Sequence, residues 1–266
     1  MQTKTEDHKE IHTEALDVTV DNVSVSFGST QVVSNVSFKV KKGEIFVIMG
    51  PSGSGKSVLL RTMIGLIDPN QGTVWFGKHN AHERNTRDLV KTAMVFQAGA
   101  LFNSQTVYDN LAFYPREHRL ATEEEIEHKV ERALEMLSLK DAIKKIPAEL
   151  SGGMRKRVSI ARALVMEPQV ILYDEPTSEL DPIMAATISE IIAALREELN
   201  VTSVVVSHDR ELAENISDHM ILLRDGQIVS AGEASEVMKD ENPRIQEFFR
   251  PDFNLAKPRF REQTTS

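Results

Sequence analysis

The chain has 266 residues, 41% of them hydrophobic, which is enough for a large domain with a substantial core and excludes disorder as its default state. Its 31 basic and 40 acidic side chains leave a net charge of -9, which argues against a broad nucleic-acid-binding face and against a strongly basic membrane-surface patch. It has no cysteine, so disulfides and thiolate metal sites are excluded, and a reducing cytoplasm is compatible with its composition.

Residues 1–15 (MQTKTEDHKEIHTEA) are polar and lack the apolar stretch of a secretory leader, so they read as a flexible cytoplasmic tail. Residues 16–40 alternate in short apolar runs split by Gly28-Ser29-Thr30, which predicts antiparallel strands joined by a tight turn. A buried strand is expected over residues 44–49, then a Gly-rich loop, then a helix over about 56–66. Ile126, Val130, Leu134 and Leu137 mark one face of a helix within residues 122–139, and Thr122 with Glu125 fits a capping box at its start. Another long helix should follow Asp181-Pro182, with Ile188, Ile191, Ile192, Leu195 and Leu199 as its buried stripe. Strands return at 201–206 and in a hairpin turned by Asp225-Gly226. Strands alternating with helices predict a largely parallel α/β core. The longest apolar runs, such as 45–49 and 170–173, are strand-length and far short of the roughly 20 residues a spanning helix needs, so no membrane-crossing helix is expected.

Residues 50–57 read Gly50-Pro51-Ser52-Gly53-Ser54-Gly55-Lys56-Ser57, matching G-x-x-x-x-G-K-[ST] between a predicted strand and a predicted helix. Glycines let backbone N–H groups turn inward around phosphate oxygens, and the following helix start adds positive potential. In this motif Lys56 reaches the β- and γ-phosphates and the Ser57 hydroxyl ligates Mg²⁺. At residues 170–176 (VILYDEP) an apolar strand ends in two carboxylates, which puts Asp174 beside the metal and Glu175 where it can orient and deprotonate a water. At residues 150–154, Leu150-Ser151-Gly152-Gly153-Met154 opens a predicted helix, with Ser151 a good N-cap and two glycines permitting close approach of an anion. Arg155, Lys156 and Arg157 then oppose the helix dipole at a cost of a few tenths of a kcal/mol each. They indicate either an anion nearby or a solvated basic face.

This segment resembles the signature of the ABC ATPases, with Met154 where that family usually has Gln, and the resemblance covers roughly residues 17–245. It implies an ABC-type P-loop NTPase with a RecA-like core, an antiparallel β subdomain and a helical subdomain. The expected layout is a tail at 1–15, an ATPase domain at 16–250 with its helical part at about 98–162, and a C-terminal extension at 251–266. It further identifies Gln97 as the Q-loop glutamine, able to ligate Mg²⁺ and sense the attacking water, Asp181 as the D-loop aspartate, and His208 as the switch histidine, a donor to the γ-phosphate. Phe27 corresponds to the adenine-stacking aromatic, although a core position on its strand is the other reading. Glu179 departs from the family's small D-loop residues; a carboxylate there either weakens closure of the dimer or pairs with a basic group across it. The resemblance implies ATP and Mg²⁺ as cofactors, and a two-fold pair in which each ATP lies between one copy's phosphate loop and the other copy's signature.

Met154 with its basic followers, and residues 96–118 (FQAGALFNSQTVYDNLAFYPREH), are similar to the ATPases of bacterial MCE/Mla-type lipid transporters. That similarity implies phospholipid transport, location at the cytoplasmic face of the inner membrane, and partners among permease subunits, MCE-domain proteins and small accessory subunits. Phe102, Val107, Leu111 and Phe113 are then either walls of the groove that takes a permease coupling helix or ordinary core. The tail from Pro251 either reaches the opposite subunit or is a free end. Two other readings are an importer ATPase for a polar solute and a soluble ABC protein acting on nucleic acid or ribosomes; the acidic balance opposes the latter.

Overall fold

A computed structural model describes residues 14–249. Two strands, β1 (Val18–Phe27) and β2 (Thr30–Val40), pair antiparallel across the Gly28-Ser29 turn, with Phe27 opposite Thr30. They lead to β3 (Ile45–Met49) and, after the Gly-rich loop, α1 (Lys56–Met63). Next come β4 (Gln71–Phe76), β5 (His79–Asn80), the short α2 (Thr86–Leu89) and β6 (Thr92–Val95). The helical portion contains α3 (Val107–Glu117), α4 (Glu123–Met136) and α5 (Gly152–Leu164). Strand β7 (Val170–Asp174), α6 (Pro182–Leu199), β8 (Thr202–Ser207) and α7 (Arg210–Ile216) return to the sheet. The described chain ends with β9 (His219–Arg224), β10 (Gln227–Glu233), α8 (Ala234–Val237) and α9 (Pro243–Phe249).

The strands form two sheets, one in the order β2-β1-β4-β5 and one in the order β10-β9-β3-β8-β7-β6. In the larger sheet all neighbours run parallel except the β9–β10 hairpin, whose Asp225 and Gly226 both have positive φ as a twist-matched two-residue turn requires. Its central strands are buried on both faces, which is why they read as continuous apolar runs and not as alternation. The two-residue pleat still sorts them. Ile45, Val47, Met49, Ile171, Tyr173 and Val205 face the core shared with α3 through α7. Phe46, Ile48, Leu172, Val204 and Val206 face the other core, where Leu59, Leu60 and Met63 of α1 lie between the large sheet and the valines of β1, β2 and β4.

Boundaries differ from expectation for local reasons. Helix α1 stops at Met63, with Gly65 in the left-handed region two residues on (φ +74°). Helix α4 begins on the expected capping box, where Thr122 N donates to Glu125 Oε2 (2.7 Å) and Glu125 N to Thr122 Oγ1 (3.3 Å). On α6, Ile188, Ile192 and Leu195 are buried but Ile191 and Leu199 only partly so, because an 18-residue helix packed on one side leaves the margins of its stripe open. Val107 and Leu111 are not groove walls: one turn apart on the inner face of α3, both are fully buried in the core. Phe102 and Phe113 stay exposed, their rings 4.8 Å apart and tilted by 53°. Strands β4, β5 and β6 lie where periodicity had signalled no element. Most of the 1–15 tail and all of the 251–266 extension fall outside the described residues.

Candidate functional site

The strand order β3-β8-β7-β6 places four loops side by side at the carboxyl ends of parallel strands, where ligands of open α/β sheets bind. Along that edge stand residues 50–57 after β3, His208 after β8, Asp174 and Glu175 at the end of β7, and Gln97 after β6. Residues separated by more than a hundred positions thus share one rim.

Gly55 caps α1 at φ +100°, and a Cβ there would come 2.7 Å from the Val32 carbonyl, so the hairpin β1–β2 abuts the phosphate loop directly. A Cβ on Gly53 would meet nothing within 4 Å, and Ser54 Oγ is buried without a hydrogen-bond partner. A room-bearing cradle with an orphaned buried hydroxyl fits a bound polyanion such as a triphosphate. Lys56 is buried, and its Nζ donates to the carbonyls of Gly50 (2.7 Å) and Pro51 (3.0 Å). Burial pushes its ammonium below the usual lysine range, opposed by Glu175 and then by Asp174.

Ser57 Oγ donates to Asp174 Oδ1 at 2.8 Å, which brings the two predicted metal ligands together. Arg61, one turn beyond Ser57 on the same face of α1, lies 3.9 Å from Asp174 Oδ2. Its spacing of four from Ser57 is the signal that would have found it. Hydroxyl and carboxylate oxygens suit Mg²⁺, which takes few protein ligands and completes its shell with water and phosphate oxygens. Among the described residues no group of three or more His, Asp and Glu could hold a metal.

Glu175 is held at both oxygens, Oε1 lying 3.8 Å from Lys56 Nζ and Oε2 2.8 Å from His208 Nδ1. Its backbone is left-handed at φ +50°, unusual for a non-glycine residue and costing on the order of 1 kcal/mol, while its N–H donates to Val206 O at 2.9 Å. Such strain turns the carboxylate off the strand axis toward the phosphate loop's lysine. His208 itself is largely exposed on the rim.

Phe27 is 53% exposed at the end of β1, so the core reading of that ring is wrong. It belongs to the hairpin that abuts Gly55. Gln97 has an exposed side chain, and its carbonyl accepts a hydrogen bond from Lys156 Nζ.

The signature lies elsewhere. Ser151 caps α5 by accepting from Met154 N at 3.2 Å, and the nearest side chains to Gly152 and Gly153 are Leu180 and Met184, not residues 50–57. A Cβ on Gly153 would stand 2.3 Å from Met184 Cε, so the second glycine is needed for packing as well. Asp181 caps α6, its Oδ1 accepting from Ile183 N and Met184 N, both at 3.0 Å. The three basic residues of α5 serve their own chain: Arg155 Nη1 donates to Leu150 O (2.6 Å), Arg157 Nη1 to Leu137 O (3.0 Å), and Lys156 is buried. The solvated-face reading fails for Lys156, which is buried, and only partly holds for the run, since Arg155 is exposed and Arg157 half-buried. Glu179, exposed and at φ +65°, acts electrostatically on Lys156 of the same chain.

The ABC transporter family profile matches residues 33–178. The chain is 37% identical to the probable ribonucleotide transport ATP-binding protein mkl of Mycobacterium leprae, over 87% of its own length and 68% of that protein. It is 38% identical to the intermembrane phospholipid transport system ATP-binding protein MlaF of Escherichia coli, over 87% of each chain. Among solved structures, a dimeric ATP-binding cassette in a post-hydrolysis state, bound to ADP and Pi, matches at a TM-score of 0.72 and 32% identity, covering 82% of this chain and 98% of that one. With the phosphate loop, the strand-end carboxylates and the signature helix disposed as described, the chain belongs to the ABC transporter family, as an ATP-binding and ATP-hydrolysing domain.

Proposed function

We propose that the chain is the Mg²⁺-dependent ATPase subunit of a transporter that moves phospholipid or a related lipid between membranes of a bacterial envelope. The observation that carries the hydrolytic part is the Glu175 carboxylate fixed between Lys56 and His208 at the rim of the phosphate loop. In this reading the N–H groups of residues 52–57 cradle the phosphates, which take over the Lys56 donors now given to Gly50 and Pro51 carbonyls. Phe27 stacks on the adenine. Glu175 accepts the proton of the attacking water, and His208 donates to the γ-phosphoryl oxygens. Ser57, Asp174 and Gln97 would hold Mg²⁺, which would supply charge neutralisation to the phosphates. Removing it with a chelator should abolish turnover, and adding Mg²⁺ back should restore it.

Because Ser151, Gly152 and Gly153 adjoin α6 and not their own phosphate loop, they would serve the nucleotide of a second copy, with Asp181 beside them. The dimeric relative supports that arrangement. Glu175→Gln should lower kcat by roughly 10²- to 10⁴-fold and accumulate an ATP-bound dimer. A Glu175→Gln chain that stays monomeric at saturating ATP would refute the pairing.

Identity alone does not separate the cargoes named for the relatives, at 37% and 38%. The match spans 87% of the phospholipid-system protein but 68% of the mycobacterial one, which favours the lipid reading. The exposed Phe102–Phe113 pair is the surface offered to a permease helix, which would hold the subunit peripherally at the cytoplasmic face of the inner membrane. Native membranes solubilised in mild detergent should yield this chain with a permease, an MCE-domain protein and small accessory subunits. Recovery with a solute importer's permease, or with nucleic acid, would overturn the cargo and leave the ATPase standing.

A further inference from the structure

Lys156 is a buried ammonium on α5, the helix that opens with the signature. Its Nζ donates to the carbonyl of Gln97, and through long bonds of 3.4 Å to the carbonyl of Glu175 and to Ser178 Oγ. Ser178 Oγ in turn donates to the same Glu175 carbonyl at 2.8 Å. One turn and a half further along α5, Arg162 donates to the carbonyls of Gly99 (3.0 Å) and Ala100 (2.6 Å). The backbone after β6 is therefore pinned to α5 at residues 97, 99 and 100. Of the two cations, Lys156 alone also reaches the turn that carries Glu175.

We propose that Lys156 is a positioning residue for hydrolysis, tying the Gln97 loop to the Glu175–Ser178 turn so that both reach working geometry together; the proposal rests on the roles assigned above to Glu175 and Gln97. Three N–H donors meet three oxygens that belong to two different loops, which follow the paired strands β6 and β7. Burying an ammonium disfavours folding unless its donors are used, so a neutral residue would serve packing alone better. The acidic neighbours around it are Glu179, Glu175 and Asp174, which leave the charge locally compensated. Glu179 thereby acquires a role inside one subunit: it opposes, more than Glu175 or Asp174 does, the penalty that burial places on the Lys156 charge.

The test compares full-length Lys156→Met, Lys156→Gln and Lys156→Arg in steady-state ATPase assays, with the Kd of a non-hydrolysable ATP analogue and the Tm measured in parallel. Methionine and glutamine should each lower kcat by about 10- to 100-fold, the scale expected for a catalytic group displaced by an ångström, while Kd changes by less than about threefold. Arginine, which keeps charge and reach, should recover most of the lost kcat. Unchanged kcat in the neutral variants, loss of nucleotide binding in step with kcat, failure of both neutral variants to fold, or no recovery with arginine would each overturn the proposal. If Glu175→Gln itself retains turnover, the roles it rests on have failed instead, and the two failures are read from different variants.

Discussion

Asp181 is first of all a helix cap: one of its oxygens takes the N–H groups of Ile183 and Met184 at the start of α6. Asparagine caps as well as aspartate, so Asp181→Asn should leave unfolding in urea nearly unchanged, whereas Asp181→Ala should cost about 1 kcal/mol. Any loss of ATPase activity in the asparagine variant then belongs to the charge. Charge also governs the two buried lysines. Burial lowers the pKa of Lys156 against the opposing pull of Glu179, Glu175 and Asp174, as it lowers that of Lys56. Between each depressed value and the ordinary 10.5, the unfolded chain binds more protons than the folded one, so stability rises with pH across that interval. The gain is complete above 10.5 and is lost as pH falls through the depressed values. Lys156→Met removes one such group. Wild type should therefore gain on this variant as pH rises toward 10.5 in urea titrations, and a pH-independent gap would contradict the burial argument.

Helix α3 separates two functions by its faces. Leu111 is fully buried, and Leu111→Ala should destabilise the chain by about 2–5 kcal/mol through the cavity it leaves. Phe102 projects from the preceding loop, and that loop is held by fully buried Asn110, which accepts from Phe102 N (2.7 Å) and donates to Phe102 O (3.1 Å) and Thr106 O (2.9 Å). Phe102→Ser should cost no more than about 1.5 kcal/mol, the scale of one aromatic pair, yet weaken co-purification with the permease. Asn110→Ala should behave differently again, with a cost of about 1–3 kcal/mol and a disordered loop, because it orphans buried backbone groups. Thermal unfolding together with detergent pull-down separates the three outcomes.

At the scale of the whole molecule, the distance between Ser151 and its own phosphate loop makes a complementation test decisive. Lys56→Met and Ser151→Arg chains should each be inactive alone. Mixed, they form pairs in which one nucleotide site carries both defects and the other carries neither, so activity should reappear in the mixture. A mixture as inactive as its components would mean that each site is built within one chain.

Chemistry carried by contiguous residues is legible in the sequence alone. The phosphate loop, the strand ending in Asp174-Glu175 and the helix opening at Ser151 are local signals, because strand, turn and helix start are set by neighbours within a few residues. The Thr122–Glu125 cap and the Asp225-Gly226 turn were legible for the same reason. Tertiary structure alone decided what depends on packing between distant segments. It buried Val107 and Leu111 while leaving Phe27, Phe102 and Phe113 exposed, and apolar character by itself says nothing of which neighbours arrive. It buried Lys156 of the basic run after the signature and gave Arg155, Lys156 and Arg157 the carbonyls of Leu150, Gln97 and Leu137, partners up to 59 residues away. A misplaced cation in a first helical turn shows that a partner must exist; only the fold supplies which one.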